Sequence, residues 1–392
     1  MAAKLQLSLL CFLFYSVSIS WASEPTCYDE LGCFYNDYPW SWLLRPFPAP
    51  QEPKKVNTTF HFSNRNNPNA AYFKTWPTIE IPAGYDARKQ SFILTHGFFS
   101  SHDVAWMKNI TDSILQKVDA NVFTVNWASG ASTLYSQAAA NARIVGSEIS
   151  RVIKFLVKKT NTDIRKFHLA GHSLGSHIMA YAAKNTTGIR RITALDPAQP
   201  GFQRHAKEVR LDNKDAEFID VIHTDGKPFL PCIGLGMSKS VGDVDFFVNG
   251  GKYQPNCLID GKDFNITNLL DLIELPFELM LNLGSCSHTR APRYWASSII
   301  DNQCKMWANR YKDSEARIKF TDYIVHDKCD AHLCTKMGLD TQTFPARGNF
   351  ALKTNGEYPF CIKNKESDKQ MKPLLEKPNS KSFFGNQFVS GH

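Results

Sequence analysis

Short, almost fully apolar segments alternate with longer helical ones between residues 91 and 225. Each apolar segment is too short for a typical helix and has no polar face, which is typical of a strand buried on both sides. These segments are "SFILTHGF", "NVFTVNW", "KFHLAGHS", "RITALDP" and "EFIDVIHTD". Because strands that alternate with helices form parallel sheets covered on both faces, the pattern predicts an α/β fold with a mainly parallel central sheet.

The segments between these strands have the pattern of amphipathic helices. "YSQAAANARIVGSEISRVIKFLVKK" follows the second strand and "GSHIMAYAAKN" follows the third. An earlier segment, "VNTTFHFSNR", alternates as a strand does. The chain has 392 residues, of which 43% are hydrophobic and 21% charged. This is ordinary globular composition, and a chain of this length can bury a full core.

Residues 1–22 have the features of a secretory signal peptide. Lys4 supplies a positive charge, the apolar run 5–19 is too short to span a bilayer, and "SWA" before Ser23 offers small residues for cleavage. No later run is long and apolar enough for a transmembrane helix. The protein is therefore expected to be secreted and extracellular.

Nine cysteines remain after the predicted cleavage, and an oxidising compartment favours their pairing. Cys27 and Cys33 are close enough in sequence to close a small loop. The chain has no C-x-x-C pair, so a zinc site is not expected. Four N-x-S/T sequons are predicted glycosylation sites on surface loops. They lie at Asn57, Asn109, Asn185 and Asn265.

The formal net charge is +8, with basic clusters at 190–191, at 204–210 and after residue 363. These clusters indicate either a solvated surface or attraction to anionic lipid or glycosaminoglycan. No basic motif is interleaved with aromatic residues, so a nucleic-acid partner is not expected. Residues 346–392 are predicted to be a short extension that is largely a disordered tail.

The segment "FHLAGHSLGSH", residues 167–177, contains a G-x-S-x-G motif centred on Ser173. A strand before and a helix after favour a nucleophile on a sharp turn, and the alternative is a serine that caps a helix. In open α/β sheets, functional residues gather at the carboxyl ends of strands. The other polar residues at such ends are His96, Asp196, Asp220 and His223. Their presence favours the nucleophile.

A serine nucleophile needs a histidine base, and the histidine needs a carboxylate that fixes its tautomer. Asp196 ends an apolar strand and is the first candidate acid, with Asp220 and Asp225 as rivals. The candidate bases that follow Asp196 are His205, His223, His288, His326 and His332. Spacing alone does not choose among them.

The oxyanion that develops during acyl transfer needs donors already in place. One is expected to be the N–H of Leu174, the residue after the nucleophile. The other is expected from "THGF" after an earlier strand, where Gly97 lets the chain bend and Phe98 offers its N–H.

The segment between Cys257 and Cys286 has apolar side chains interrupted by polar ones at every third or fourth position. The pattern indicates one or two amphipathic helices broken by Pro276. An ordinary surface helix is one interpretation. The other is a lid, residues 257–286, tied at its base by a disulfide. Opening such a lid exposes large side chains, each costing roughly 1.5–3 kcal/mol in water. A lipid surface that receives them would favour opening.

Taken together, several motifs resemble the pancreatic lipase family of secreted α/β-hydrolases. They include "CYDELGCF", "LTHGF", "FHLAGHSLGSH", "ALDPAQPGF" and "CSHTRAPRYWASSI", in order over about residues 25–345. The resemblance implies an α/β-hydrolase domain over residues 23–345. It also implies a triad of Ser173, Asp196 and His288, with the N–H groups of Phe98 and Leu174 as oxyanion donors.

The resemblance further implies a structural calcium ion and no organic cofactor. The matching ligands are the carbonyls of Lys207 and Arg210 and the carboxylates of Asp212 and Asp215. Hard oxygen donors of this mix suit calcium, although a solvated turn is the other interpretation of the two aspartates.

Three disulfides match the family, and the remaining thiols stay unassigned. The matching pairs are Cys27–Cys33, Cys257–Cys286 and Cys329–Cys334. Cys232, Cys304 and Cys361 are left over for at most one bond.

The expected function is hydrolysis of triacylglycerol esters at the surface of a lipid droplet, micelle or membrane, reached through the lid. Phospholipase A1 activity on glycerophospholipids is the alternative, and a lipid-binding or yolk-type protein without catalysis is a third. The family's C-terminal β-sandwich has no counterpart in the sequence, so a colipase-type partner is not expected.

Overall fold

An eleven-stranded sheet forms the centre of the molecule. The computed structural model describes residues 24–229, 234–257, 286–300, 303–311, 330 and 332–363. Two strands, β1 (Thr26–Tyr28) and β2 (Gly32–Phe34), form a separate hairpin. The strands of the large sheet are β3 (Thr59–Ser63), β4 (Ala71–Phe73), β5 (Ser91–Thr95), β6 (Asn121–Asn126), β7 (Phe167–His172), β8 (Arg191–Leu195), β9 (Phe218–His223), β10 (Val244–Val248), β11 (Trp307–Arg310), β12 (Cys334–Lys336) and β13 (Gly348–Leu352).

The strand order is β12-β11-β13-β10-β9-β8-β7-β5-β6-β3-β4. In the spatial order β13-β10-β9-β8-β7-β5-β6, all neighbouring pairs are parallel. The pairs outside this run, which are β12-β11 and β11-β13 at one edge and β6-β3 and β3-β4 at the other, are antiparallel. The central strands β5, β7, β8 and β9 are buried along their whole length. The predicted apolar strands and the mainly parallel sheet are therefore confirmed.

Helices cover both faces of this sheet. They are α1 (Pro53–Val56), α2 (Ala105–Lys117), α3 (Ala128–Ala131), α4 (Tyr135–Thr160), α5 (Leu174–Lys184) and α6 (Arg290–Ile300). Helix α4 packs on α5 and shares one core cluster with it, whereas α2 packs on α6 in the other. The arrangement is the α/β-hydrolase fold. None of the described helices combines the length and apolar content that crossing a membrane requires.

The strand order reverses direction between β5 and β7. From β5 the chain continues to β6 on one side, and from β7 it continues to β8 on the other. A crevice opens at such a switch point, outside the carboxyl ends of the two strands. The ladder pairs Thr95 with Gly171, so the residues that follow, including Gly97 and Ser173, meet at this crevice.

The sheet continues beyond the domain boundary predicted at residue 345. Strand β13 pairs in parallel with β10 and antiparallel with β11, and Cys361 is bonded to Cys304. The domain therefore extends at least to residue 361, beyond the predicted boundary, which corrects the prediction. A lone five-residue strand gives a weak signal in sequence when no helix accompanies it. Residues 1–22 and 364–392 lie outside the described residues.

One carboxyl group is buried in the middle of α4. Glu148 is 1% exposed, and one of its oxygens accepts a hydrogen bond from the Trp76 indole N–H at 3.1 Å. Burial raises the pKa of Glu148 to about 7, against the opposing effects of Thr58, Trp76 and Arg151. Ionisation of this group therefore costs more in the folded chain than in the unfolded one.

We expect Glu148→Gln to stabilise the protein at about pH 8 by roughly 2–3 kcal/mol. With a raised pKa, the folded wild type binds more protons than the unfolded chain between the two pKa values. Its stability therefore falls as the pH rises through that window, and glutamine removes this loss. Urea unfolding at about pH 8 and about pH 4 measures the difference, which should nearly vanish at the lower pH. An equal effect at both pH values would contradict the assignment.

Candidate active site

Ser173 occupies a strained turn between β7 and α5. Its φ is 57° and its ψ −122°, a conformation that residues with a side chain rarely adopt. The backbone N–H of Ser173 donates to the carbonyl of Leu195 on the neighbouring strand at 3.1 Å. This geometry is that of a nucleophile elbow rather than a helix cap, since Ser173 makes no side-chain cap bond.

The two glycines of the motif permit the close approach of this turn to the sheet. A Cβ on Gly171 would lie 2.2 Å from the Gly175 carbonyl oxygen, and a Cβ on Gly175 would lie 2.8 Å from the backbone oxygens of His96 and Thr95. Both distances are shorter than non-bonded atoms tolerate. The glycines therefore have a steric role that is independent of any chemistry.

Asp196 and His288 form a buried pair beside this turn. The Nδ1 of His288 lies 2.7 Å from Oδ2 of Asp196, and the two residues are 6% and 0% exposed. The other carboxylate oxygen accepts the backbone N–H groups of Thr224 at 2.9 Å and Asp225 at 3.2 Å. These bonds fix the carboxylate, which in turn orients the imidazole.

His172, the residue before the proposed nucleophile, positions the segment that carries His288. Its Nε2 donates to the backbone carbonyl of His288 at 3.0 Å, and the two rings lie 4.5 Å apart. Burial lowers the pKa of His172 well below its ordinary value, so its ring is neutral. No sequence pattern indicates this role, because the middle positions of G-x-S-x-G accept many residue types.

The rival acid Asp220 is occupied elsewhere in the sheet. Both of its oxygens accept bonds from the Arg191 guanidinium at 2.8 Å, and Oδ1 also accepts the Thr193 hydroxyl at 2.8 Å. All three residues are buried. Asp220 therefore stabilises the core as a bidentate ion pair.

The second rival acid, Asp225, is closer to the site. Its carboxylate lies 2.9 Å from the Lys227 ammonium and accepts the Leu235 N–H at 2.8 Å. Burial and the charge of Asp196 raise the pKa of Asp225 to about 7, against the attraction of Lys227. One ligand atom from each of Asp196, Asp225 and His288 lies within 4.8 Å of the others, but only Asp196 bonds the imidazole within the described chain. A buried lysine has no sequence signal, since lysine is usually exposed.

The other candidate bases in the described residues do not reach Asp196. The ring of His223 bonds Asp245 at 2.8 Å and the Met237 carbonyl at 2.7 Å. Burial lowers the pKa of His223, but the bond to Asp245 outweighs burial and the pKa is raised. His205 lies against Trp42, with ring centroids 6.1 Å apart. His332 is exposed, and His326 falls outside the described residues.

The loop after β5 brings the proposed oxyanion donor Phe98 to the nucleophile. A Cβ on Gly97 would lie 2.7 Å from the Cβ of Ser173 and 3.3 Å from its hydroxyl oxygen. Leu174, the other proposed donor, is the first residue of α5, where backbone N–H groups have no partner within the helix. Gly97, the residue before Phe98, therefore lies against Ser173, and Leu174 follows Ser173 directly; the donor roles of Phe98 and Leu174 stay a prediction.

His96 holds this loop in place, a role that no sequence pattern predicts. Its Nε2 accepts the Trp127 backbone N–H at 3.1 Å, which leaves Nδ1–H to donate to the Gly97 carbonyl at 2.9 Å. The indole of Trp127 in turn donates to the His96 carbonyl at 3.0 Å. Burial lowers the pKa of His96 to about 4, so the neutral tautomer persists at physiological pH. Donors set in advance in this way stabilise an oxyanion best.

The residues matched to a calcium site are gathered around a lysine. The Lys184 ammonium lies 3.0 Å from the Arg210 carbonyl and 2.5 Å from an Asp215 oxygen. The other Asp215 oxygen accepts the Asp212 N–H at 2.9 Å, and Asp212 faces Lys207 at 3.4 Å. The oxygen donors suit calcium, but an ion coordinated there has to displace Lys184 from two of them. The calcium site stays a prediction.

The disulfides agree with the predicted pairs where both cysteines are described. Cys27–Cys33 and Cys257–Cys286 are formed. The predicted lid, residues 257–286, lies outside the described residues except for its two end cysteines. The structure also pairs Cys304 with Cys361, which the sequence left unassigned. Cys334 is disulfide-bonded, while Cys329 and Cys232 lie outside the described residues.

Three of the predicted glycosylation sites are exposed. These are Asn57, Asn109 and Asn185, and Asn265 lies outside the described residues. Exposure permits attachment of a glycan, and occupancy of each site stays a prediction.

Known proteins match most of the chain. A family model described as "Lipase" matches residues 24–360. Pancreatic triacylglycerol lipase of Equus caballus is 35% identical over 83% of this chain and 69% of its own length. Pancreatic lipase-related protein 2 of Rattus norvegicus is 39% identical over 75% of this chain and 63% of its own length. Inactive pancreatic lipase-related protein 1 of Mus musculus is 36% identical over 80% of this chain and 65% of its own length. The chain thus spans about two thirds of the length of these relatives.

Proposed function

This chain belongs to the lipase family, and from that membership we propose that it is a secreted serine lipase. It hydrolyses the carboxylic esters of acylglycerols, triacylglycerol above all, at a lipid–water interface. The observation that carries the proposal is the His288–Asp196 bond of 2.7 Å beside a serine on a strained elbow. The family gives the reaction class, and this geometry supplies residues able to perform it.

In the proposed reaction, Ser173 Oγ attacks the ester carbonyl while His288 Nε2 takes its proton. The N–H groups of Phe98 and Leu174 stabilise the oxyanion, and Asp196 stabilises the imidazolium. His288 then protonates the departing alcohol, which leaves an acyl group on Ser173. A water molecule, deprotonated by His288, attacks the acyl-enzyme, and return of the proton to Ser173 releases the fatty acid.

Triacylglycerol is favoured over phospholipid because two long segments are available to cover the site. Cys257 and Cys286 are 29 positions apart in sequence, and a long connection joins β9 to β10. Apolar covers suit a substrate whose head carries no charge, whereas a phosphate would need cationic partners. Phospholipase A1 activity is the alternative.

We expect hydrolysis of triolein to exceed that of phosphatidylcholine by about tenfold or more, a difference of roughly 1.4 kcal/mol in the barrier. Initial rates of fatty-acid release are compared on emulsions of equal surface area. Ser173→Ala protein provides the background rate on each substrate. Faster release from phosphatidylcholine would replace the proposal with the phospholipase A1 alternative.

A further inference from the structure

A cavity of about 940 Å³ is formed by segments that supply no residue to the proposed triad. Its walls come from the β1–β2 hairpin, from residues 52–58 around α1, and from Trp76 with Pro77. Glu148 of α4 lies at its buried end. This volume is in the range of small-molecule sites in proteins.

Two polar atoms at the buried end of this cavity lack hydrogen-bond partners. Trp76 Nε1 donates to one oxygen of Glu148, but the other oxygen, Oε2, has no partner of hydrogen-bonding geometry within the described residues. The nearby hydroxyl oxygen of Thr58, a residue that is 5% exposed, also meets no partner of ideal geometry there, although it lies close enough to Glu148 to lower the pKa of that carboxyl. A buried carboxylate oxygen without a donor is costly, and native proteins seldom leave one unsatisfied. A group with several N–H donors that enters the cavity can satisfy both atoms.

The charge around the cavity is negative. Asp29, Glu30 and Glu52 line it together with Glu148, and Lys54 is the one cation among the described residues in its lining. Nearby, the Arg151 guanidinium pairs with Glu30, donates to the Thr75 carbonyl and lies 4.0 Å above the Trp76 ring, while its buried Nε has no hydrogen-bond partner among the described residues. The remaining acidic groups therefore favour a positively charged ligand in a partly desolvated setting.

We propose that this cavity binds a primary alkylammonium group, carried by a small polyamine or by a lysine side chain of a peptide. The ammonium offers N–H donors to Glu148 Oε2 and to the Thr58 hydroxyl, and its alkyl chain lies along Trp76, Pro77 and Tyr28. A quaternary ammonium has the charge but no N–H, so it leaves both buried atoms unsatisfied. The site is independent of the proposed lipase activity.

Binding of a primary ammonium ionises Glu148, whose pKa burial raises to about 7. Affinity should therefore rise as the pH increases from about 6 to about 8, with release of a proton on binding below the pKa. The other titratable or charged groups that face the cavity are Tyr28, Asp29, Glu30, Glu52, Lys54 and Arg151. Asp29, Glu30 and Glu52 are exposed, whereas Glu148 is buried.

Calorimetric titration of the full chain with cadaverine and with N-acetyl-lysine methylamide tests the proposal, with tetramethylammonium as the charge-only control. We expect saturable binding of a primary ammonium, with a dissociation constant in the millimolar range or below. A millimolar constant corresponds to a binding free energy of roughly 4 kcal/mol. Glu148→Gln should weaken binding by about tenfold or more, and Thr58→Val by less. The matched control is Glu208→Gln, an exposed acid outside the cavity, which should bind as the wild type does. The Glu148→Gln protein is expected to fold, since it is predicted to be more stable above pH 7.

Binding of cadaverine alone would assign the site to free polyamines, and binding of the lysine derivative would assign it to peptides. Three results would overturn the proposal. The first is that neither amine binds saturably. The second is that tetramethylammonium binds with the same affinity as the primary amines. The third is that Glu148→Gln binds the amines with the affinity of the wild type. The same titration in Ser173→Ala protein should give unchanged affinity, which separates this proposal from the proposed lipase reaction.

Discussion

Replacing Ser173 with alanine is expected to lower ester hydrolysis by about four orders of magnitude or more. The elbow holds one side chain in a left-handed conformation at the crevice between β5 and β7, and alanine there offers no nucleophile. The carboxylate of Asp196 and the ring of His288 stay bonded to each other, so the loss belongs to the missing hydroxyl. Rates on tributyrin and triolein emulsions measure the effect.

The control for this variant is Ser150→Ala, because that side chain of α4 donates to the Asn185 carbonyl away from the elbow. Ser150→Ala should keep the wild-type rate, and both variants should keep the wild-type near-ultraviolet circular dichroism. Stoichiometric labelling of wild-type protein by an active-site phosphonate, absent in Ser173→Ala, provides a second measurement. An unlabelled wild type would favour the non-catalytic, lipid-binding alternative, which gains interest because one relative is described as inactive.

Changing Asp196 to asparagine should lower kcat by about 10⁴-fold. The asparagine amide donates a hydrogen bond to Nδ1 of His288, which places the ring proton on Nε2. The imidazole then cannot accept the serine proton. The backbone N–H groups of Thr224 and Asp225 can still bond the amide oxygen, so the geometry should persist. Single-turnover kinetics on a p-nitrophenyl ester separate acylation from lipid binding.

Asp225 provides the matched comparison, since it is a buried aspartate in the same cluster. Asp225→Asn combined with Lys227→Met removes both members of the ion pair and leaves no unpaired buried charge. This double variant should keep activity within about tenfold of the wild type, because His288 bonds Asp196. A loss as large as that of Asp196→Asn would transfer the orienting role to Asp225.

The periodicity of the sequence predicted the central strands and the placement of Ser173 and Asp196 at their carboxyl ends. These features are local, since five or six neighbouring residues define each strand. His288 is different, because it lies 92 positions after Asp196 in a segment without periodicity. Five histidines satisfied the chain-order rule, and only the family resemblance selected among them.

The hydrogen bonds of His96 and His172 could not be predicted from the sequence for a related reason. His96 and His172 act through backbone carbonyls, so their roles depend on loop geometry rather than on residue pattern. The Cys304–Cys361 bond joins residues 57 positions apart, and spacing alone does not select pairs over that distance. Strand order across a sheet likewise depends on packing between segments that are remote in the chain.

The position of β13 determines when the sheet can be completed during synthesis. This strand is the last of the described strands to be synthesised, yet it lies between β10 and β11 and is the only described strand that joins β11 and β12 to the rest of the sheet. Until residue 352 has left the ribosome, the nascent chain presents the free backbone edge of β10, flanked by the apolar side chains of Val244, Phe246 and Val248. Such an edge readily pairs with another chain. A protein truncated after residue 345 should therefore aggregate, although it contains all three residues of the proposed triad.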